Sequence, residues 1–179
     1  MKSITFLLYS LFLFVLCTGC GSSDSDPEPI PFTAEFTTNG GIQFEMSPEE
    51  VAGLCGEGPF GYNIQEGTGT ATELGAISYY ATFCVDLSTF ESGQIEFFST
   101  ENTEAYIVAE NGDTLYLPAQ TGIISATQEE GYDAEFGGEM TITEGTGRFR
   151  DIKLVVSATG LVVMQPERTD HIWTGTLEL

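Results

Sequence analysis

Phe32-Thr33-Ala34-Glu35-Phe36-Thr37 alternates apolar and polar residues one for one, and beyond Asn39-Gly40-Gly41 the alternation resumes as Ile42-Gln43-Phe44-Glu45-Met46. A repeat of two marks a strand with one buried face and one wet face. The Asn-Gly-Gly between the two runs is turn chemistry and predicts a hairpin. A longer run of the same kind places Ile77, Tyr79, Ala81, Phe83 and Val85 on one side and Ser78, Tyr80, Thr82, Cys84 and Asp86 on the other. Further strands are expected at 94–99, 105–110, 114–117, 122–127, 134–143, 152–158 and 172–179, with Asn111-Gly112 as a hairpin turn. Residues 53–69 read as a glycine-rich passage. Ser47-Pro48-Glu49-Glu50 carries a cap, a first-turn proline and a glutamate three places after the cap, so a short helical turn closed by Gly53 should cover one end of the sheet. Roughly eight to ten antiparallel strands on short turns predict an all-β closed barrel, because closure leaves no edge; a β-sandwich is the alternative.

Composition narrows the partners. The chain has 179 residues, 21 glycines and 13 phenylalanines, enough for one domain with an aromatic core but hardly for two. Five basic residues face 27 acidic ones, a net charge of −22, and no basic residue occurs between Gly21 and Gly147. Phosphate backbones and anionic lipid surfaces are repelled by such a chain, so no nucleic acid is expected as a partner. Salt screens the self-repulsion, which suits saline surroundings.

The N-terminus reads as an address. Met1-Lys2-Ser3 is a short positive region, and residues 4–16 form an apolar run too short to span a bilayer comfortably. Leu16-Cys17-Thr18-Gly19-Cys20 resembles the bacterial lipobox, with Cys17 where leucine is usual. The resemblance implies a signal peptide over 1–19 and acylation of Cys20, which would tie the protein to the lipid bilayer; an ordinary signal peptide is the alternative. Residues 20–31 have the Ser, Pro and acidic composition of a disordered tether, and 32–179 form the single barrel domain. The tether resembles the export signal of surface lipoproteins in the Bacteroidota, which implies outer-membrane, surface-exposed display, with a periplasm-facing protein as the alternative. Asp24, Asp26, Glu28 and Glu35 match the count of an EF-hand loop, but Pro29 stands where that loop needs glycine.

Three blocks carry a family resemblance: residues 67–75 (Gly-Thr-Gly-Thr-Ala-Thr-Glu-Leu-Gly), 109–116 (Ala-Glu-Asn-Gly-Asp-Thr-Leu-Tyr), and 138–149, ending Glu144-Gly145-Thr146-Gly147-Arg148-Phe149. They resemble the recurring blocks of bacterial secreted domains related to the allene oxide cyclase and dirigent barrels. The resemblance implies a calycin-like barrel of eight antiparallel strands whose cavity accepts small apolar molecules. Arg150-Asp151-Ile152 departs from the plant-type pattern, and no catalytic residue carries over.

The candidate chemistry is sparse. Cys55 and Cys84 are the cysteines of the exported domain, and an oxidising compartment predicts a disulfide between them; free thiols or metal use are the alternatives. The alternation puts Cys84 on the polar face, which favours an external staple. Tyr79, Tyr80 and Trp173 are candidate cavity-lining residues. Glu73, Glu96 and Tyr80 are the candidates for a buried acid such as an enzyme would need. His171, the sole histidine, is expected to cap the start of the last strand. Glu129-Glu130 with Asp133 and Glu135 reads as solvated hairpin charge rather than a calcium loop. Neither a metal nor a cofactor is implied. The expectation is a lipoprotein whose barrel is a non-catalytic binding module, with a small apolar molecule as ligand. Competing readings are an isomerase or cyclase acting on a lipid-derived molecule, and a structural surface domain with a filled barrel.

Overall fold

The computed structural model describes residues 28–179, so Cys20, the leader and most of the tether lie outside the described residues. Eleven strands follow one another: β1 (Ile30–Asn39), β2 (Phe60–Ala71), β3 (Gly75–Asp86), β4 (Gln94–Phe98), β5 (Ala105–Ala109), β6 (Thr114–Tyr116), β7 (Thr121–Ala126), β8 (Ala134–Ile142), β9 (Glu144–Gly145), β10 (Lys153–Met164) and β11 (Glu167–Glu178). Around the wall the order is β2, β1, β11, β10, β8, β7, β4 and β3, and the β2–β3 pairing closes the ring. The fold is therefore a closed, calycin-like antiparallel barrel of eight strands, not a sandwich, with one short helix, α1 (Pro48–Cys55).

The predicted hairpin at Asn39-Gly40-Gly41 does not form. β1 pairs with β11 along its whole length, from Ile30 opposite Leu177 to Asn39 opposite Arg168, and on its other edge with β2. Both of those partners are distant in sequence, and residues 42–46 keep only a single bridge, Ile42 to Asn63. The tether also ends earlier than expected, because β1 begins at Ile30. Residues 60–71, most of them in the passage 53–69 read as glycine-rich, are a twelve-residue strand. Its inward positions include Gly67 and Gly69, which lie between β1 and β3: Thr38 faces Gly67, which faces Tyr79, and Phe36 faces Gly69, which faces Ile77. Strands one apart in a sheet are separated by about 9–10 Å. With no side chain on the strand between them, Phe36 and Tyr79 reach across and stack at 4.9 Å between ring centroids.

The wall divides at β3. Residues 84–86 pair with β4, leading on to β7 and β8, whereas residues 77–81 pair with β5, leading on to β6 and β9. The β5–β6 turn is the expected one, with Gly112 at φ 88° and the Asn111 side chain accepting from Asp113 N–H at 3.1 Å. The lower branch and the turn Gly147–Phe149 close one end of the barrel over a solid core: Phe32, Leu74, Ile107, Leu115, Ile142, Phe149, Leu154 and Leu177 are almost fully buried there. Ile30 and Leu177 face each other at this filled end, whereas β1 finishes at the opposite end, where Gly40 and Gly41 border open space.

α1 begins at the predicted capping box, with Glu50 N–H donating to Ser47 Oγ at 3.3 Å and Ser47 N–H to Glu50 Oε2 at 2.8 Å. It runs past Gly53 to Cys55 and packs mainly on β2 and also on β3 rather than on an end of the sheet. The Cys55 and Cys84 sulfurs are bonded. Cys84 does sit on the outward side of β3, as its alternation implies, yet it is completely buried, because the helix covers it. The staple is thus internal. The β4–β5 connection holds the helix from the other side, through Thr100 Oγ1 to Leu54 O at 2.8 Å and Asn102 Nδ2 to Gly53 O at 3.2 Å.

Candidate functional site

Above the solid core the barrel is hollow. A cavity of about 290 Å³ opens at the end formed by residues 40–44, Phe90 of the turn Leu87–Ser92, and the β10–β11 connection. That volume lies at the lower edge of the roughly 300–1,000 Å³ typical of small-molecule sites. Its floor is aromatic. His171 stacks on Phe36 at 4.4 Å with the rings 7° from parallel, Phe136 meets His171 edge-on at 5.8 Å, and Trp173 meets Phe36 edge-on at 5.1 Å. Gly160 makes room for this layer, since the Phe136 ring occupies the place its side chain would take.

The two walls differ in chemistry. β3, β4, β7 and β8 present Ala81, Phe83, Ile95, Phe97, Ile124 and Phe136 to the cavity. The adjoining strands β2, β1 and β11 present Asn63, Gln65, Thr38, Thr169 and His171, all buried. Thr38 Oγ1 sits 3.2 Å from His171 Nε2 and donates to Gln65 Oε1 at 3.5 Å. Asn63 Oδ1 is buried without a hydrogen-bond partner among the described residues. A second opening pierces the side of the barrel, where β7 and β8 pair only at residues 125–126 and 134–135 and then diverge. Residues 118–121 and 137–141 edge this slot, and Gln120 Nε2 spans it to Met140 Sδ at 3.0 Å. Tyr79, Phe97, Gln120, Phe136 and His171 border both openings.

The predicted residues fare unequally. Tyr79 lines the cavity, and burial pushes its phenol above the ordinary tyrosine range. Trp173 lies in the floor and borders the side slot. Tyr80 is not a cavity residue: it points outward and stacks on Tyr106 at 5.2 Å. Glu96 is exposed on the outer face of β4, and Glu73 occupies the β2–β3 turn at φ 64°, so neither reaches the interior. His171 does not cap a strand, because β11 begins four residues earlier, at Glu167, and the ring faces inward. Asp133 accepts from Met164 N–H, at the end of β10, at 2.8 Å, and Glu135 accepts from Thr127 Oγ1 in its own connection at 2.6 Å, so both acids are engaged in holding neighbouring turns. Among the described residues no group of three or more His, Cys, Asp and Glu gathers as a metal site.

Electrostatically the hollow is neutral. Burial holds the His171 imidazole far below its usual range, at about 3, against the weaker upward pull of the Asp170 charge. Asp170 itself lies on the outer side of β11. Burial raises its carboxyl pKa, but hydrogen bonds from Thr37 (2.7 Å) and Tyr132 (2.9 Å) and the Arg168 guanidinium (3.1 Å) outweigh burial, and the net shift is downward. Arg168, the cation at the cavity mouth, is therefore already engaged.

A pH dependence follows for His171. The unfolded chain binds a proton below about pH 6.5 and the folded chain does not until about pH 3, so the contribution is present above 6.5 and declines as pH falls through that window. The slope is at most about 1.4 kcal/mol per pH unit. Carboxylates held below their usual range, such as Asp170, also lose stability as pH falls, so the His171 share is isolated by comparison with His171→Gln. Between pH 6.5 and 5 the native protein should lose up to about 2 kcal/mol relative to that variant in urea unfolding. Parallel pH curves for the two proteins would mean the imidazole is charged or solvated.

No protein-family model, curated protein or solved structure matches this chain.

Proposed function

We propose that this protein is a non-catalytic binding module that carries a small, uncharged, mainly apolar molecule in the open half of its barrel, and that a lipidated Cys20 holds it to the bacterial outer membrane. One observation carries the reading: the same barrel is packed solid at one end and hollow at the other, with a continuous aromatic floor between. A structural domain has no need of that hollow. The resemblance to allene oxide cyclase and dirigent barrels, whose cavities take small apolar molecules, points the same way. Among the described residues lining the cavity the charged side chains are Glu167 and Arg168, both at the mouth, which favours an uncharged guest over an ion. An isomerase or cyclase would need a buried carboxylate or a shifted tyrosine beside the guest. Among the described lining residues no carboxylate is buried, and the enzyme reading rests on Tyr79 alone, whose phenol is pushed upward by burial with no charged partner.

The test is native mass spectrometry of the protein purified from its own host, before and after organic extraction, together with uptake of the uncharged dye N-phenyl-1-naphthylamine. A mass removed by extraction, and a dye that brightens with the native protein but at least tenfold less with Ile124→Trp, would support the reading. Tryptophan at that position extends into the hollow rather than into packed core. Absence of both signals from a folded protein would reassign the barrel to work through its outer surface.

A further inference from the structure

The cavity has a polar stripe, and that stripe is incomplete. Asn63 and Gln65 both face inward from β2, two positions apart and so about 7 Å between Cα atoms. Each is about nine-tenths buried. The Gln65 oxygen is taken by Thr38, and its amide nitrogen donates to no described residue, whereas Asn63 Oδ1 is the atom buried with no partner at all among the described residues. Burying such a group unpaired is costly, and proteins pair nearly all of them. The facing wall on β3, β4, β7 and β8 is mainly apolar, with Phe83, Phe97, Ile124 and Phe136.

We infer that the guest is an apolar alcohol, whose hydroxyl donates to Asn63 Oδ1 and accepts from Gln65 Nε2 while its hydrocarbon part lies against the aromatic and aliphatic side. The inference rests on the binding reading above and sharpens it to a ligand class. A hydroxyl is the group that fits, because it gives and takes a hydrogen bond at one atom and carries no charge into a neutral hollow. An ether offers only the acceptor. A carboxylate adds a charge that the buried site does not neutralise and that a chain of net charge −22 repels. His171 stays outside this exchange, since its Nε2 already meets Thr38.

Displacement of N-phenyl-1-naphthylamine from the purified protein separates the cases, with 1-decanol, methyl nonyl ether, decane and decanoate as competitors. Decanol should displace the dye about tenfold more tightly than the ether or the alkane, with decanoate at pH 8 the weakest. Asn63→Leu should lose the preference for alcohol over ether, read as the ratio of the two competitors on the variant itself, and melt no lower than the native protein, because the orphaned oxygen is gone. Dye binding in the native protein with equal displacement by alcohol and ether, or with decanoate strongest, overturns the alcohol assignment while leaving the cavity as a binding site. No dye and no decanol bound removes both. Because the decisive ratio is measured on the native protein, a poorly folding variant would not blur the result.

Discussion

Phe149→Ala is expected to destabilise the protein by about 3–5 kcal/mol, whereas Phe97→Ala, which deletes the same atoms, should cost roughly 1–2 kcal/mol. The two rings sit at opposite ends of one barrel. Phe149 is fully buried in the turn that seals the filled end, among Leu115, Ile142 and Leu154, so its removal forfeits transfer energy and leaves a void that close-packed neighbours cannot collapse into. Phe97 borders both the cavity and the side slot, so part of its ring already faces empty space, and the loss enlarges an existing hollow instead of opening a new one. Urea unfolding of both variants at neutral pH measures the difference. Equal costs would mean that the open half is as tightly packed as the closed half, and the cavity would have to be given up.

The other large effect belongs to the buried cystine. Cys55→Ala with Cys84→Ala should lower stability by about 3–4 kcal/mol, because the bridge closes a loop of 29 residues whose freedom in the unfolded chain it removes. For a chain of this length that corresponds to a fall in Tm of about 10 °C, read by calorimetry. The effect should be local in its consequences. Without the bridge, α1 is held by its packing on β2 and by Thr100 and Asn102 of the neighbouring connection, so hydrogen exchange should quicken in residues 48–55 and 99–104 before it does in β10 or β11. A melting point unchanged within a degree or two would show that the bridge constrains nothing the fold does not already hold.

The contrast between legible and illegible strands has one physical cause. β1 and β3 were readable because each buries one face of large side chains, and period two follows from that. β2 was not, because three of its inward positions are Gly61, Gly67 and Gly69 and two more are Asn63 and Gln65. A strand whose inward face is empty or polar has no apolar rhythm, and its glycines imitate a loop. That same strand supplies the polar stripe of the cavity, so the feature that hid the strand also hid the site. The false hairpin arose differently: Ile42, Phe44 and Met46 do alternate, but Phe44 stands 79% exposed, and the partners β1 needed lay about 30 and 140 residues further along, where local pattern carries no information on pairing. Tyr79 and Tyr80 show the limit of composition alone. Adjacent residues of one strand must face opposite ways, so only one of the pair could line an interior.

Ile30 and Leu177 lie side by side at the sealed base, so β1 begins and β11 finishes on the side away from the mouth, at the foot of the cup. A tag, a dye or a surface linker joined at either end should leave access to the hollow unimpeded, which makes immobilised protein a faithful format for measuring what it holds.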